Sequence, residues 1–440
     1  MADLIINSSE DELIQSLDFR LPSTSKYVTD RRLVRFYPSG ASDFSPNGVR
    51  TARVLLSGDG GWVDPSSLRV SFKIQNTGAN NLYLAAGPHA LWDRVRIFCA
   101  GTLVEDLGPH YGRLHEIFMN KLAPSNFNQN QAVLNNVMTE VGPDAVQSTP
   151  IAPGASATVM MPIACGFLKT HKYLPVRFAP VQIELSLADA EAAVVLHRGQ
   201  HAGGADAVAG SRDYVIRQLT VHCAQARLDS ALESNFAQVL LSNRALTVPV
   251  KTVATQVQTI PDGPNFQVSL VRALSRMNAV FLSFVWQEGA VGGDDENLHY
   301  HPTAVFGNPS AIEGNPPDAT HEERTLELQL AIGSKLFPET PASSMGELFD
   351  NLTQAIDTYD QTLRTVSISP SRYRHNTFIA GFNMCRVPGH FASGVNTRTG
   401  DLLTIKAKNL KANMRNLRIF VHVLYEGILE IRESGCSFYD

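Results

Sequence analysis

The chain has 440 residues, of which 44% are hydrophobic and 18% charged, and 37 basic against 42 acidic residues give a formal net charge of −5. That is enough apolar material for sizeable cores, which excludes a disordered or fibrous chain, and the slight acidic excess supplies no overall basic field to neutralise nucleic acid. The five cysteines, Cys99, Cys165, Cys223, Cys385 and Cys436, are scattered, odd in number and without a C-x-x-C pair, so neither a disulfide framework nor a zinc site is indicated and a reducing place of synthesis is the simpler reading.

The first predicted element is a helix over residues 10–19, with Ser8 or Ser9 as its cap and Leu13 and Leu17 as a narrow apolar stripe. It lies in residues 1–27, where Asp3, Glu10, Asp11, Glu12 and Asp18 outnumber Arg20 and Lys26. This segment reads as an N-terminal arm that binds protein, since an arm meant for a genome would be basic. The opening Met-Ala-Asp-Leu-Ile-Ile-Asn has neither the basic nor the apolar region of a signal peptide, and no run of about 18 apolar residues occurs. The expectation is a soluble chain not exported by that route.

Period-two alternation then dominates. Leu68, Val70, Phe72 and Ile74 alternate with Arg69, Ser71, Lys73 and Gln75, as Val181, Ile183, Leu185 and Leu187 do with Gln182, Glu184 and Ser186. Each pattern predicts an antiparallel strand with one face in a core. Between them Leu114, Ile117, Phe118 and Leu122 have helical spacing, and residues 214–228 read as a further strand. Residues 229–243 end this set, and the boundary is placed near residue 238, so that residues 28–238 form one unit and 239–440 a second.

The second unit opens at Leu246-Thr247-Val248-Pro249-Val250 and continues through alternations centred on Val268, Leu282, Leu328, Ile405 and Ile419. Leu348, Phe349, Leu352, Ile356 and Tyr359 predict a helix, for which Ser344 and Glu347 supply a capping box. Residues 196–212 and 287–323 are long polar connections of the kind that carry function or move. Helices are few and strands many, so the fold class is all-β, two sandwiches rather than α/β layers.

An internal echo supports two like units. Glu116-Ile117-Phe118-Met119-Asn120 and Glu347-Leu348-Phe349-Asp350-Asn351 lie 231 residues apart (347 − 116), and the glycines that precede them, Gly101 and Gly333, lie 232 apart (333 − 101). Strand, glycine, loop and helix are expected in the same order in both halves.

Enzyme signatures are missing: no G-x-S-x-G, no P-loop, no G-x-G-x-x-G and no H-E-x-x-H occurs. The nearest approach to chemistry is a cupin-like metal site, where Gly293 precedes His299 and His301 at the right distance. The positions that should then hold Glu are Val305 and Phe306, so the pattern breaks where a carboxylate ligand is needed. A metal-dependent enzyme on a jelly roll is therefore the alternative reading. His110 and His115, five apart, do not share a helical face and point to structure. Asp294-Asp295-Glu296 lacks the ligand spacing of a calcium loop.

Taken continuously, Leu68–Asn76, Leu91–Val104 with its glycine turn, and Tyr111 with the following helix resemble the opening jelly roll of double jelly-roll major capsid proteins of polinton-like viruses, virophages and adintoviruses. Lys172-Tyr173-Leu174-Pro175 running into Val181 is similar to a later strand entry of that roll, and Phe391–Thr397 resembles a turn near the end of the second. The resemblance implies two consecutive eight-stranded antiparallel jelly rolls with a few short helices. It further implies homotrimers that form pseudo-hexameric capsomers of an icosahedral virion around double-stranded DNA, contacting neighbouring capsomers, penton and minor capsid proteins. No catalytic, cofactor or metal-binding residues come with the family, nor sequence-specific nucleic-acid binding, and contact with an internal membrane stays open.

Overall fold

The computed structural model describes residues 27–440 apart from 59, 60, 85, 124–133, 135–149, 171, 195, 196, 199–207, 287–302, 304, 311–325, 360–365, 367, 376, 388, 389, 392, 399–401 and 411–416. The predicted helix over residues 10–19 and the rest of the arm before Tyr27 lie outside the described residues, as do Gly293, Asp294, Asp295, Glu296, His299 and His301.

Alternating runs become strands because each can bury one face and hydrogen-bond at both edges. In the first half these are β1 (Val28–Phe36), β2 (Thr51–Leu56), β3 (Trp62–Asn76), β4 (Trp92–Cys99), β5 (Thr102–Leu107), β6 (Ser156–Met161), β7 (Val181–Leu187) and β8 (Tyr214–Leu228). They form two antiparallel sheets, ordered β1-β8-β3-β6 and β2-β7-β4-β5. The second half supplies β9 (Leu246–Thr259), β10 (Asn265–Ser269), β11 (Met277–Trp286), β12 (Glu327–Ile332), β13 (Lys335–Ala342), β14 (Ile379–Asn383), β15 (Leu403–Lys408) and β16 (Leu417–Arg432), followed by β17 (Gly435–Tyr439) as a hairpin on β16. Its sheets run β9-β16-β11-β14 and β10-β15-β12-β13. Adding eight to every strand number of the first pair gives the second. Each half is thus an eight-stranded jelly roll, and the chain is a double jelly roll.

The cores are the predicted faces. Leu68, Val70, Phe72 and Ile74 of β3 are buried with Val95 and Ile97 of β4 and Ile183 and Leu185 of β7. Phe72 meets Trp92 edge-on at 5.5 Å. In the second roll Val280, Leu282 and Phe284 of β11 join Leu328, Leu330 and Ile405 in the buried set.

Alternation on β11 predicts one solvated face, and the structure differs. Ala279, Phe281, Ser283 and Val285 are buried as well, because the outer face of β11 lies against the first roll. Phe281 packs edge-on against Phe118 at 5.1 Å.

The echo occupies equivalent places. Gly101 and Gly333 both have positive φ, 83° and 57°, in the turns of the β4–β5 and β12–β13 hairpins. The expected loops after them are the strands β5 and β13. The helices then follow, each between the fifth and sixth strands of its roll: α1 (Tyr111–His115), continuing as a π-helical stretch over Glu116–Lys121, and, in the second roll, α3 (Met345–Tyr359). Between these two in sequence, α2 (Ser230–Leu241) occupies the segment expected only to end one strand set, and α4 (Pro370–His375) follows α3.

The echoed helices are not matched in burial. Every residue from Tyr111 to Met119 is buried, whereas α3 keeps Gly346, Glu347 and Asp350 exposed while burying Leu348, Leu352 and Ile356. The first is enclosed between the rolls and the second lies on one roll only.

Candidate functional site

Among the described residues no group of three or more His, Cys, Asp or Glu side chains is placed to hold a metal ion, and no helix is long and apolar enough to cross a membrane. The chemistry-bearing side chains that are described gather instead along the seam between the rolls, with α1 at its centre.

Helix α1 starts at His110, whose backbone is left-handed at φ 63° and whose N–H donates to Asp93 Oδ1 at 3.0 Å. The turn aims Arg113 out of its own roll. Its guanidinium donates to Ser283 Oγ at 3.1 Å, to the carbonyl of Phe284 at 3.1 Å and to the carbonyl of Val305 at 2.8 Å. The same group is sandwiched between the rings of Phe306 and Phe420, 4.1 and 4.4 Å from their centroids. All five partners belong to the second roll. A buried guanidinium is costly to desolvate, and it is tolerated because three N–H groups of its fork and both of its faces are occupied.

The other face of α1 holds a polar knot within the first roll. His115 stacks on His89 at 4.6 Å, and its Nε2 lies 3.2 Å from the carbonyl of Pro162. Glu116 sits 2.9 Å from His89 Nε2 and 3.4 Å from Lys121 Nζ, and accepts from Asn120. Tyr111 fixes the helix from a third side by accepting from Ala164 N through its hydroxyl at 2.7 Å. His110 and His115 do face different neighbours, since His110 packs edge-on against Phe420 of the second roll.

A second contact lies beside β9. Glu105 of β5 is buried, accepts from Gly166 N and Phe167 N at 2.9 Å each and from Cys165, and reaches the side chain of Thr252 on β9. Gly166 allows the backbones to meet: a Cβ there would sit 1.2 Å from the carbonyl oxygen of Lys251. Lys172 Nζ donates to the carbonyl of Thr247 at 3.3 Å. Further along, Thr102 Oγ1 donates to the carbonyl of Cys436 at 2.8 Å.

Burial sets the charge states. It pulls the Arg113 guanidinium down to about 9, opposed by Glu116, which leaves the group a cation at neutral pH. Burial pushes Glu116 up, but Lys121, His89 and Asn120 together hold it at about 2. His422 of β16 is pulled to about 3 by burial, then by Arg113 and His110, and His115 is lowered by burial and by His89. Glu105 and Cys165 are both raised by burial, so the thiol is a proton donor to a carboxyl group rather than a thiolate nucleophile. The seam is a set of fixed protons and charges that holds two bodies in one orientation.

Outside the seam, large apolar side chains stand in solvent. Leu33 on β1 is 82% exposed and Val271 after β10 is 78% exposed, and Tyr27, Tyr37 and Leu241 are largely exposed as well. Among the described residues strand β1 pairs only with β8, and its exposed residues include Arg31, Arg32 and Arg35. Charged edges resist unplanned pairing, while exposed apolar groups mark contact surfaces.

Sequence reasoning found α1 and missed what it carries. Arg113 follows Tyr111 and Gly112 with no local mark of burial, and its hydrogen-bond partners are 170 to 192 residues distant. His89 lies in a short turn whose histidine has no periodic context. Glu105 alternates with nothing that distinguishes it from a solvent-facing strand residue.

No protein-family model and no curated relative matches the sequence. Solved structures do match in fold. The Sputnik virophage structure aligns at 10% identity over 97% of this chain and 91% of its own, with a TM-score of 0.63. PBCV-1 VP54, fitted into a reconstruction of the same virophage, aligns at 12% over 96% and 99%, with a TM-score of 0.62. The Faustovirus major capsid protein aligns at 10% over 96% and 93%, with a TM-score of 0.60. The likeness spans both rolls.

Proposed function

We propose that this chain is a viral major capsid protein, a subunit whose work is to build a shell. The observation that carries the reading is the pair of rolls with one strand order, held as a single body by the Arg113 seam. A subunit of two like lobes gives six lobes in a trimer, and six lobes can tile a surface by pseudo-hexagonal packing. The full-length likeness in fold to the Faustovirus major capsid protein and to PBCV-1 VP54 supports the same role.

In this reading three copies meet through different faces in a closed ring, which ends growth without forming fibres. An obligate trimer needs well over about 2,000 Å² buried at each interface. Leu33, Tyr37 and Val271 are apolar groups available for burial between copies. The capsomers would surround a double-stranded DNA genome in an icosahedral virion assembled inside the host cell, with neighbouring capsomers, penton and minor capsid proteins as partners. The acidic segment of residues 1–27 is assigned to protein partners. We set the division between the rolls near residue 238, in α2, a helix that packs on the first roll through Phe236 on Trp62 at 4.9 Å and Glu233 on Arg177 at 2.7 Å. The role assigned is structural and not catalytic. The metal-enzyme alternative rests on His299 and His301, outside the described residues.

Native mass measurement or light scattering on the purified protein tests the proposal. A stable trimer at micromolar concentration is expected, followed by hexagonal arrays or closed particles by electron microscopy under assembly conditions. A strictly monomeric protein that never forms particles would overturn it.

A further inference from the structure

Two hairpin turns from different rolls meet at the edge of the seam, and each brings a thiol. Cys99 is the last residue of β4, just before the Ala100-Gly101 turn, and Cys436 is the second residue of β17, just after the turn that reverses β16. Their sulfurs lie 3.6 Å apart although 337 residues separate them in sequence. The approach is held on both sides: Cys436 pairs with Ile431 in its own hairpin, and its carbonyl accepts from Thr102 Oγ1 at 2.8 Å across the seam. Cys99 is buried and Cys436 is partly exposed, so one member of the pair is reachable by a small reagent.

We propose that Cys99 and Cys436 are a cross-linking site, which forms an intramolecular disulfide between the two rolls when the protein passes from reducing to oxidising surroundings. The oxidant is a low-molecular-weight disulfide such as oxidised glutathione. The partly exposed Cys436 sulfur, after losing its proton, attacks one sulfur of the reagent. The reagent's S–S bond breaks, and the first glutathione leaves and takes up a proton. The Cys99 sulfur then attacks the Cys436 sulfur of this mixed disulfide, and the second glutathione leaves with a proton. Two protein thiols are oxidised and one small disulfide is reduced to two thiols.

The environments suit these two roles. The hydrogen bond with Cys99 lowers the Cys436 thiol below its ordinary range, against burial, while Cys99 is raised by the same bond and by burial. The thiolate therefore forms on the accessible sulfur, and the buried neighbour resolves the mixed disulfide, which is the order the geometry needs. Cys165 and Cys223 do not share this setting: Cys165 is bonded to the buried Glu105, and burial pushes Cys223 up to about 12. The link closes a loop of 337 residues, and cross-links across long loops restrict the unfolded chain most. It would fasten the C-terminal hairpin to the first roll. The proposal concerns the folded chain and stands apart from the assembly assigned above.

The test uses the full-length protein, purified in reductant and then exposed to oxidised glutathione without denaturant. The reaction is quenched with acid, and free thiols are counted by alkylation in denaturant. The five thiols of the reduced chain should fall to three, with the intact mass lower by two hydrogens and a linked peptide joining Cys99 to Cys436. Cys436→Ser should keep all four of its remaining thiols, and the rise in melting temperature expected on oxidising the wild type should be absent from it. Retention of five thiols overturns the proposal. A glutathione that persists on Cys436, or a bond from Cys436 to a second chain or to another cysteine, overturns it equally. The wild-type measurement decides the matter even where a variant folds poorly.

Discussion

Arg113 is the residue on which the union of the two rolls most depends. The guanidinium's hydrogen bonds and ring contacts described above are all with the second roll, so Arg113→Met would keep apolar volume between Phe306 and Phe420 yet remove the donor to the Val305 carbonyl and to Ser283 Oγ, while the Phe284 carbonyl keeps the N–H of Gly307 at 3.0 Å. A hydrogen bond from a charged donor is worth roughly 1.5–3 kcal/mol, so a loss of about 2 kcal/mol in denaturant-monitored stability is expected. Arg113→Lys should recover little, because one ammonium cannot reach three acceptors and face two rings; a lysine variant as stable as the wild type would sink this account. His422 sets a pH dependence next to it. Its folded pKa of about 3 lies below the ordinary 6.5, so the folded state stays neutral there while the unfolded chain takes up a proton. Stability from this group is present above pH 6.5 and is lost as pH falls toward 3, amounting to about 2 kcal/mol by pH 5. His115 has the same sign. Glu116 does not contribute in that interval, since its advantage is lost only below 4.5, and Glu105, being raised, works in the opposite direction. His422→Gln, which can still bond Thr255, should therefore flatten the fall between pH 7 and pH 5 in unfolding titrations, and an unchanged slope would exclude His422 as its source. None of this was legible in the sequence. A buried arginine or histidine looks like a surface one until its partners in space are known, and those bonded to Arg113 lie 170 or more residues away.

At the scale of elements the sequence was more open, because periodicity is a local property. The strands centred on Val70, Ile183, Leu328 and Ile405 lie where alternation puts them, and residues 214–228 form one strand as expected. Helix α3 was legible to its cap: Ser344 Oγ accepts from Glu347 N at 3.1 Å, and Glu347 returns the bond to the adjacent Ser343 N at 2.8 Å. Ser344→Ala should lower stability by about 1 kcal/mol in thermal or denaturant unfolding, and no loss would mean that Glu347 alone holds the turn. Helix α2 was missed although Asp229 caps it, its Oδ2 accepting from Ala231 N at 3.3 Å. Its exposed Leu241 and half-buried Phe236 give only a weak stripe, so the segment reads as a linker. Strand β11 misled in the other direction. Its alternation marks the inner face correctly, but its outer face is covered by α1, and only a tertiary neighbour can bury the polar Ser283 beside Phe281.

For the whole molecule, the repeat of strand order could be anticipated from the echo, while the joint between the repeats could not. That joint depends on a position with no side chain. Gly166 lets the segment after β6 touch β9 backbone to backbone, and a methyl group there would overlap the Lys251 carbonyl at 1.2 Å. Close-packed interiors do not absorb such an intrusion without a shift. The substitution leaves the side chains of both cores as they are, so the strain falls on the docking of one roll against the other and on the Glu105–Thr252 contact beside it. Two jelly rolls that share a large apolar and polar seam should unfold together, and rolls forced apart should not. Gly166→Ala is therefore expected to split a single calorimetric transition into two, with the mutant still rich in strand by circular dichroism below the first. The same variant should form fewer closed particles than the wild type under identical assembly conditions, since six lobes can meet their neighbours in register only when the two within each chain keep a fixed angle. A single transition at the wild-type temperature would show that the seam yields around the methyl group and that the rolls owe their common orientation to Arg113 instead.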